Sequence, residues 1–251
     1  MGTMPTPMPA EAQPQAQIGP VGRVFGVLFS PGKTFEDIAR KPSWLFPVIL
    51  STILGIGVAF ALNQRVDWRD IASKRIEESS RASQLSAEQK ERQLDISAKV
   101  SPIVAYVIGV CTPWIVALLV GAVMLGAFNL LRGANANFST ALGIVSHSYV
   151  VFLIHGLLFI LILYLKPPGT VDIENPVASN LAAFFPQGTA KWIVTFGTGV
   201  DIFSIWTTIL IGLGFATFNP RKLKTGGAIG IAFAVWAVWE ALRTGFAWIF
   251  S

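Results

Sequence analysis

The chain has 251 residues, of which 53% are hydrophobic and only 13% charged, and its mean hydropathy is +0.59. That charged share is about half the share in an ordinary soluble domain, which excludes a water-soluble fold and favours one polytopic membrane bundle. The net charge of +5 does not point to nucleic acid. The Lys and Arg residues lie outside the apolar runs, where anionic headgroups and the positive-inside tendency place them.

Residues 1–20, rich in Pro, Ala and Gln, read as a disordered tail rather than a signal peptide. Residues 21–43 follow as an interfacial amphipathic helix. Val24 to Phe29 are too few to span a bilayer, Ser30-Pro31 has the form of a helix start, and Pro42 ends the segment. Phe35 and Ile38 share a face, and Lys33, Glu36, Asp37 and Arg40 are polar, as in a helix lying at the headgroups.

This stretch also holds Gly32-Lys33-Thr34, close to the phosphate-binding loop G-x-x-x-x-G-K-[ST]. The spacing from Gly26 is one residue too long. Pro31 also lacks the N–H that such a loop would point at a phosphate, and no strand precedes it. Nucleotide binding is therefore not expected.

Five apolar stretches come next, at about 44–62, 103–131, 141–165, 193–218 and 226–250, each near the roughly 20 residues that cross a bilayer. Pro113 is expected to kink the second. Gly226, Gly230 and Ala234 repeat at a four-residue spacing that permits close helix packing. Cys111, alone in the chain, reads as a buried inert thiol. The polar loop 63–102 is nearly neutral. It is expected to form one or two helices at or above the surface, with Ser86 and Gln89 in a capping-box pattern. The short basic loop 219–225 favours a cytoplasmic N-terminus, with Arg23, Arg40, Lys41, Arg221, Lys222 and Lys224 as expected headgroup contacts.

Ionisable residues at membrane depth are functional candidates by default. Asp201 caps the fourth span's helix or serves a cation or proton. His147 and His155, eight residues apart, join helices by hydrogen bonds, relay protons, or bind a metal with Asp201 as a further ligand. Glu240 and Arg243, three apart, form an internal ion pair or line a substrate path. No hydrolase triad, His-Glu-x-x-His or dinucleotide glycine pattern occurs. No catalytic residue, metal site or cofactor is therefore expected.

Three segments in order carry a resemblance. RVFGVLFSPGKTFEDIARKPSWLFPVIL (23–50) contains Ser30, Pro31, Phe35, Pro42 and Trp44. LLRGANANFSTALGIVSHSYVVFLI (130–154) leads from a glycine loop into a Ser-Tyr pair. DIFSIW (201–206) contains Phe203 and Trp206. Together they resemble bacterial-type members of the Yip (Ypt/Rab-interacting-protein) domain family over about 21–250. The resemblance departs at Val150 and Val151, where relatives often carry a proline, so no proline marks a kink in the third helix. It implies an all-α polytopic bundle of about five transmembrane helices, a multi-pass protein of the bacterial cytoplasmic membrane. Eukaryotic relatives are adaptors in vesicle trafficking that bind small GTPases, but no GTPase-binding residues can be matched here.

The expected function is therefore a non-enzymatic protein that organises the membrane or recruits partners. Its expected partners are bilayer lipid, an unidentified protein and, as an open alternative, further copies of the chain. A transporter, channel or lipid-translocating bundle is the alternative. It requires Asp201, His147, His155, Glu240 and Arg243 to converge on one water-accessible cavity.

Overall fold

The computed structural model describes residues 17–77 and 84–250. Most of the expected tail, and residues 78–83 of the polar loop, lie outside that range. Among the described residues the protein is helical, with one isolated antiparallel bridge between Asn180 and Asp201. Among the described residues, four helical segments are long and apolar enough to cross a bilayer: Leu45–Arg65, Ala87–Arg132, Phe138–Leu165 and Thr225–Ile249.

Residues 21–43 form two short helices instead of one: α1 (Pro20–Phe29) and α2 (Pro31–Arg40). Ser30 is the break and Pro31 opens α2, where the missing N–H is harmless. The Ser30 hydroxyl makes no capping bond. Its carbonyl instead accepts from both the amide and the hydroxyl of Thr34, at 3.2 and 3.0 Å. A Cβ on Gly26 would run into that Thr34 hydroxyl, so glycine lets the two helices fold back on each other.

The apolar face of α2 does not face lipid. Phe35 and Ile38 are fully buried, with Phe35 beside Gly214 and Ile38 beside Gly143. The outward apolar stripe lies on α1, where Val21, Phe25 and Phe29 are exposed at helical spacing.

The first span, α3 (Leu45–Arg65), follows Trp44, and its C-terminal end leads into α4 (Trp68–Glu77). The second span is the inner part of α5 (Ala87–Arg132), whose 46 residues extend about 69 Å, more than twice the ~30 Å hydrocarbon core. Its polar first turns begin at a complete capping box between Ser86 and Gln89. They form a stalk with α4, whose Arg69 pairs with Glu91 and Asp95 of α5. Those two carboxylates hold the Arg69 guanidinium above its ordinary range. Pro102 and Pro113 both lie inside the continuous helix.

Span α3 crosses α5 backbone to backbone. A Cβ on Gly55 would strike the Gly109 carbonyl, and one on Gly109 would strike Gly55. Cys111, read as buried, is exposed on the outer side of α5. The Gly226, Gly230 and Ala234 strip is also exposed, and nothing lies within 4 Å of a Cβ on either glycine. The tight crossing there is made by Gly212, whose Cβ would stand 2.5 Å from the Ile229 Cα.

The third span is broken at Tyr149-Val150 into α6 (Phe138–Ser148) and α7 (Val151–Leu165) without any proline. The cause lies in the side chains before the break. His147 Nδ1 and the Ser148 hydroxyl bond back to the Gly143 and Ile144 carbonyls, each at 2.8 Å. Such back-bonding competes for helix carbonyls and bends helices. The backbone then tightens, with i to i+3 bonds from Val150, Phe152 and Leu153. The fourth apolar stretch is divided as well, into α8 (Lys191–Gly199) and α9 (Ile202–Phe218), separated by Val200-Asp201. The last helix is α10 (Thr225–Ile249).

The core fills the space between α2, the inner end of α5, α6 and α9. Phe128 stacks on Phe215 at 4.0 Å between ring centres.

Candidate functional site

The five intramembrane ionisable residues occupy three separate places. At the first, the gap between α8 and α9 exposes two helix ends. Asp201 is the N-cap of α9: its Oδ1 accepts the Phe203 and Ser204 amides at 2.8 and 3.3 Å, and its Oδ2 accepts the Ser179 hydroxyl. A carboxylate there also meets the positive end of the helix dipole.

The last turn of α8 is met by Arg243 of α10, whose Nη2 donates to the Thr195 carbonyl at 2.5 Å. The same nitrogen donates to Glu240 Oε2 at 2.8 Å. Glu240 is only 6% exposed, and a Cβ on Gly199 would fall on its carboxylate, so the ion pair rests directly on the glycine that ends α8. An interrupted helix leaves carbonyls and amides that lipid cannot satisfy. Here a cation closes one end and an anion the other. Asp201, Glu240 and Arg243 thus complete one joint, whose α8 partners, Thr195 and Gly199, lie more than 40 positions from the ion pair in sequence and carried no motif.

At the second place, His147 is 1% exposed inside α6, with Nδ1 on Gly143 and Nε2 unpartnered. At the third, His155 stands on α7 edge-on to Phe203 at 5.2 Å, within electrostatic reach of Asp201 but not bonded to it. The break at Tyr149-Val150 separates the two histidines that a straight helix would have placed on one face. Among the described residues, no three His, Cys, Asp or Glu side chains form a metal-binding group.

The other candidates lie on the face opposite the α4 stalk. That face comprises α1, α2, the 133–137 turn and the 219–224 turn, joined by bonds from Asn219 to the Ala134 carbonyl and from Lys222 to the Gly133 carbonyl. Arg40, Lys41, Arg221, Lys222 and Lys224 are exposed there, joined by Lys33 and Arg132. Glu36 is the exposed acid among them.

Arg23, expected as a headgroup contact, is not one. It is 4% exposed and pairs with Asp37 at 2.7 Å. It also donates to the Lys41 carbonyl and, at 2.6 Å, to the Ser43 hydroxyl. The helix hairpin is thereby clasped to the entrance of α3, and the burial follows from Asp37, a partner fourteen residues on.

The motif residues serve packing. Phe35 fits beside Gly214, Trp44 meets Trp114 edge-on at 6.1 Å, and Phe203 meets His155.

No curated protein and no solved structure matches the chain. The model of the Yip1 domain matches residues 25–241, from the clasped hairpin through the joint at Glu240, and this multi-pass membrane protein therefore belongs to the Yip1 domain family.

Proposed function

We propose that the protein is a non-enzymatic membrane adaptor that presents a rigid basic platform to the cytoplasm. The observation that carries this reading is the dispersal of the intramembrane charges. Asp201, Glu240 and Arg243 are taken up by the helix joint and His147 is enclosed in α6, while His155 is near enough to Asp201 to feel its charge but has no bond to any of them, so the five do not meet in one polar path as a transporter would require. Five crossings, with α8 and α9 together as the fourth, put the hairpin and the 133–137 and 219–224 turns on one side. Residues 20–43, 132–137 and 219–224 hold eight Lys and Arg between them, and the short 219–224 turn is purely basic, which favours the cytoplasmic side of a bacterial inner membrane.

On that side Arg40, Lys41, Arg221, Lys222 and Lys224 reach anionic headgroups, and the exposed α1 stripe of Val21, Phe25 and Phe29 enters the interface. The clasp keeps the platform rigid for a protein partner. Small-GTPase binding is not carried over, because no residues for it can be matched.

The test is affinity capture from native membranes. Full-length protein is compared with a variant in which Arg40, Lys41, Arg221 and Lys224 are changed to Glu. Deleting residues 1–43 would not serve, because Val27, Phe35 and Ile38 belong to the core. A specific partner lost on charge reversal supports the proposal. Identical captures from both proteins overturn it.

A further inference from the structure

Span α3 packs against both α5 and α7, but α5 and α7 hardly touch each other. The splay leaves a cavity of about 660 Å³ along the three helices. This lies within the roughly 300–1,000 Å³ range of ligand pockets. Its α3 wall runs from Val48 to Leu62, about 21 Å at 1.5 Å per residue, longer than the ~15 Å half of a bilayer core. The lining is mainly aliphatic, and Arg75 and Trp68 stand at the stalk end.

Two lining residues are out of keeping with an empty apolar groove. Tyr149 and His155 flank Phe152, which stacks on Tyr149 at 5.6 Å and lies 6.0 Å from His155. Among the described residues, neither the Tyr149 hydroxyl nor a His155 ring nitrogen makes a hydrogen bond, and neither is sealed from open space. Both stand midway along the third span, where water is scarce and an unmade hydrogen bond is costly. Among the described residues the single charged residue of the lining is Arg75, at the mouth, so a phosphate or carboxylate at the depth of Tyr149 would have no counter-charge from them.

We propose that this groove binds one neutral, oxygen-bearing membrane lipid. The apolar tail lies along α3 and α5, and a carbonyl or hydroxyl oxygen meets Tyr149 and His155. The tail is prenyl or acyl, and the head is a quinone, an alcohol or a diacylglycerol. This site is independent of the basic platform.

The test is native mass spectrometry of the full-length protein in mild detergent. Three probes are added separately: a short-tailed benzoquinone, dioleoylglycerol and, as the charged control, oleate. A retained adduct with a neutral probe is expected, and which of the two neutral probes is retained separates prenylquinone from acyl-lipid sources. Oleate should bind at least tenfold more weakly. Tyr149→Phe and His155→Phe keep the shape of the lining and should each weaken binding about fivefold, the loss of one hydrogen bond. Ala105→Phe fills the groove and should abolish the adduct. The proposal is overturned if neither neutral probe binds, if oleate binds equally well, or if the two shape-preserving variants bind as the wild type does. It is also overturned if Ala105→Phe changes the oligomeric mass of lipid-free protein, because the groove would then seat a helix.

Discussion

Replacing Arg243 with Ala tests whether the intramembrane charges hold the broken helix together. The substitution removes the donor to the Thr195 carbonyl and leaves Glu240, 6% exposed, without its counter-charge. Breaking a buried ion pair in this way costs about 3–5 kcal/mol. Arg243 keeps a third of its side-chain surface, so the lower value, about 3 kcal/mol, applies. For a chain of this size that corresponds to a fall of about 6–12 °C in melting temperature. The assay is thermal unfolding of detergent-purified protein followed by size-exclusion chromatography, with Arg92→Ala as an exposed control. Changing both Glu240 and Arg243 to Leu removes both charges and should recover most of the loss, because an apolar pair can replace a buried ion pair. If Arg243→Ala melts with the control, or the double variant is no better than the single, the charges do not act as a joint.

Other expectations follow from the same geometry. Gly55→Ala would press a methyl onto the Gly109 carbonyl and should cost about 1–3 kcal/mol of overpacking, read by the same melting assay. Arg23→Ala should destabilise by about 3–5 kcal/mol, because it strands Asp37 in the hairpin. Arg23→Lys should recover only part of that loss, since an ammonium cannot hold Asp37, Ser43 and the Lys41 carbonyl in one planar fork. Arg69→Ala, on the exposed stalk, should leave the melting temperature unchanged.

The helices could be read from sequence because apolar runs of about twenty residues have few other uses. The i, i+3 spacing of Glu240 and Arg243 carried their pairing, and Ser86 with Gln89 carried the stalk's capping box. The interruptions could not be read in this way. The break at Tyr149-Val150 comes from His147 and Ser148 bonding back to carbonyls of their own helix, which neither proline nor glycine announces. Arg23 looked like a surface cation because its partner Asp37 sits on another helix. The small-residue rule singled out Gly226 and Gly230, but the close crossings fall at Gly55, Gly109 and Gly212. Spacing marks where helices can approach. Only the tertiary arrangement decides where they do.

The most direct test of a cytoplasmic basic platform is cysteine accessibility in intact cells, in a Cys111→Ser background. Lys41→Cys and Lys224→Cys should react with a membrane-impermeant maleimide only after permeabilisation, and Arg92→Cys on the stalk should react in intact cells. The reverse pattern would place the basic face outside the cytoplasm and contradict the account.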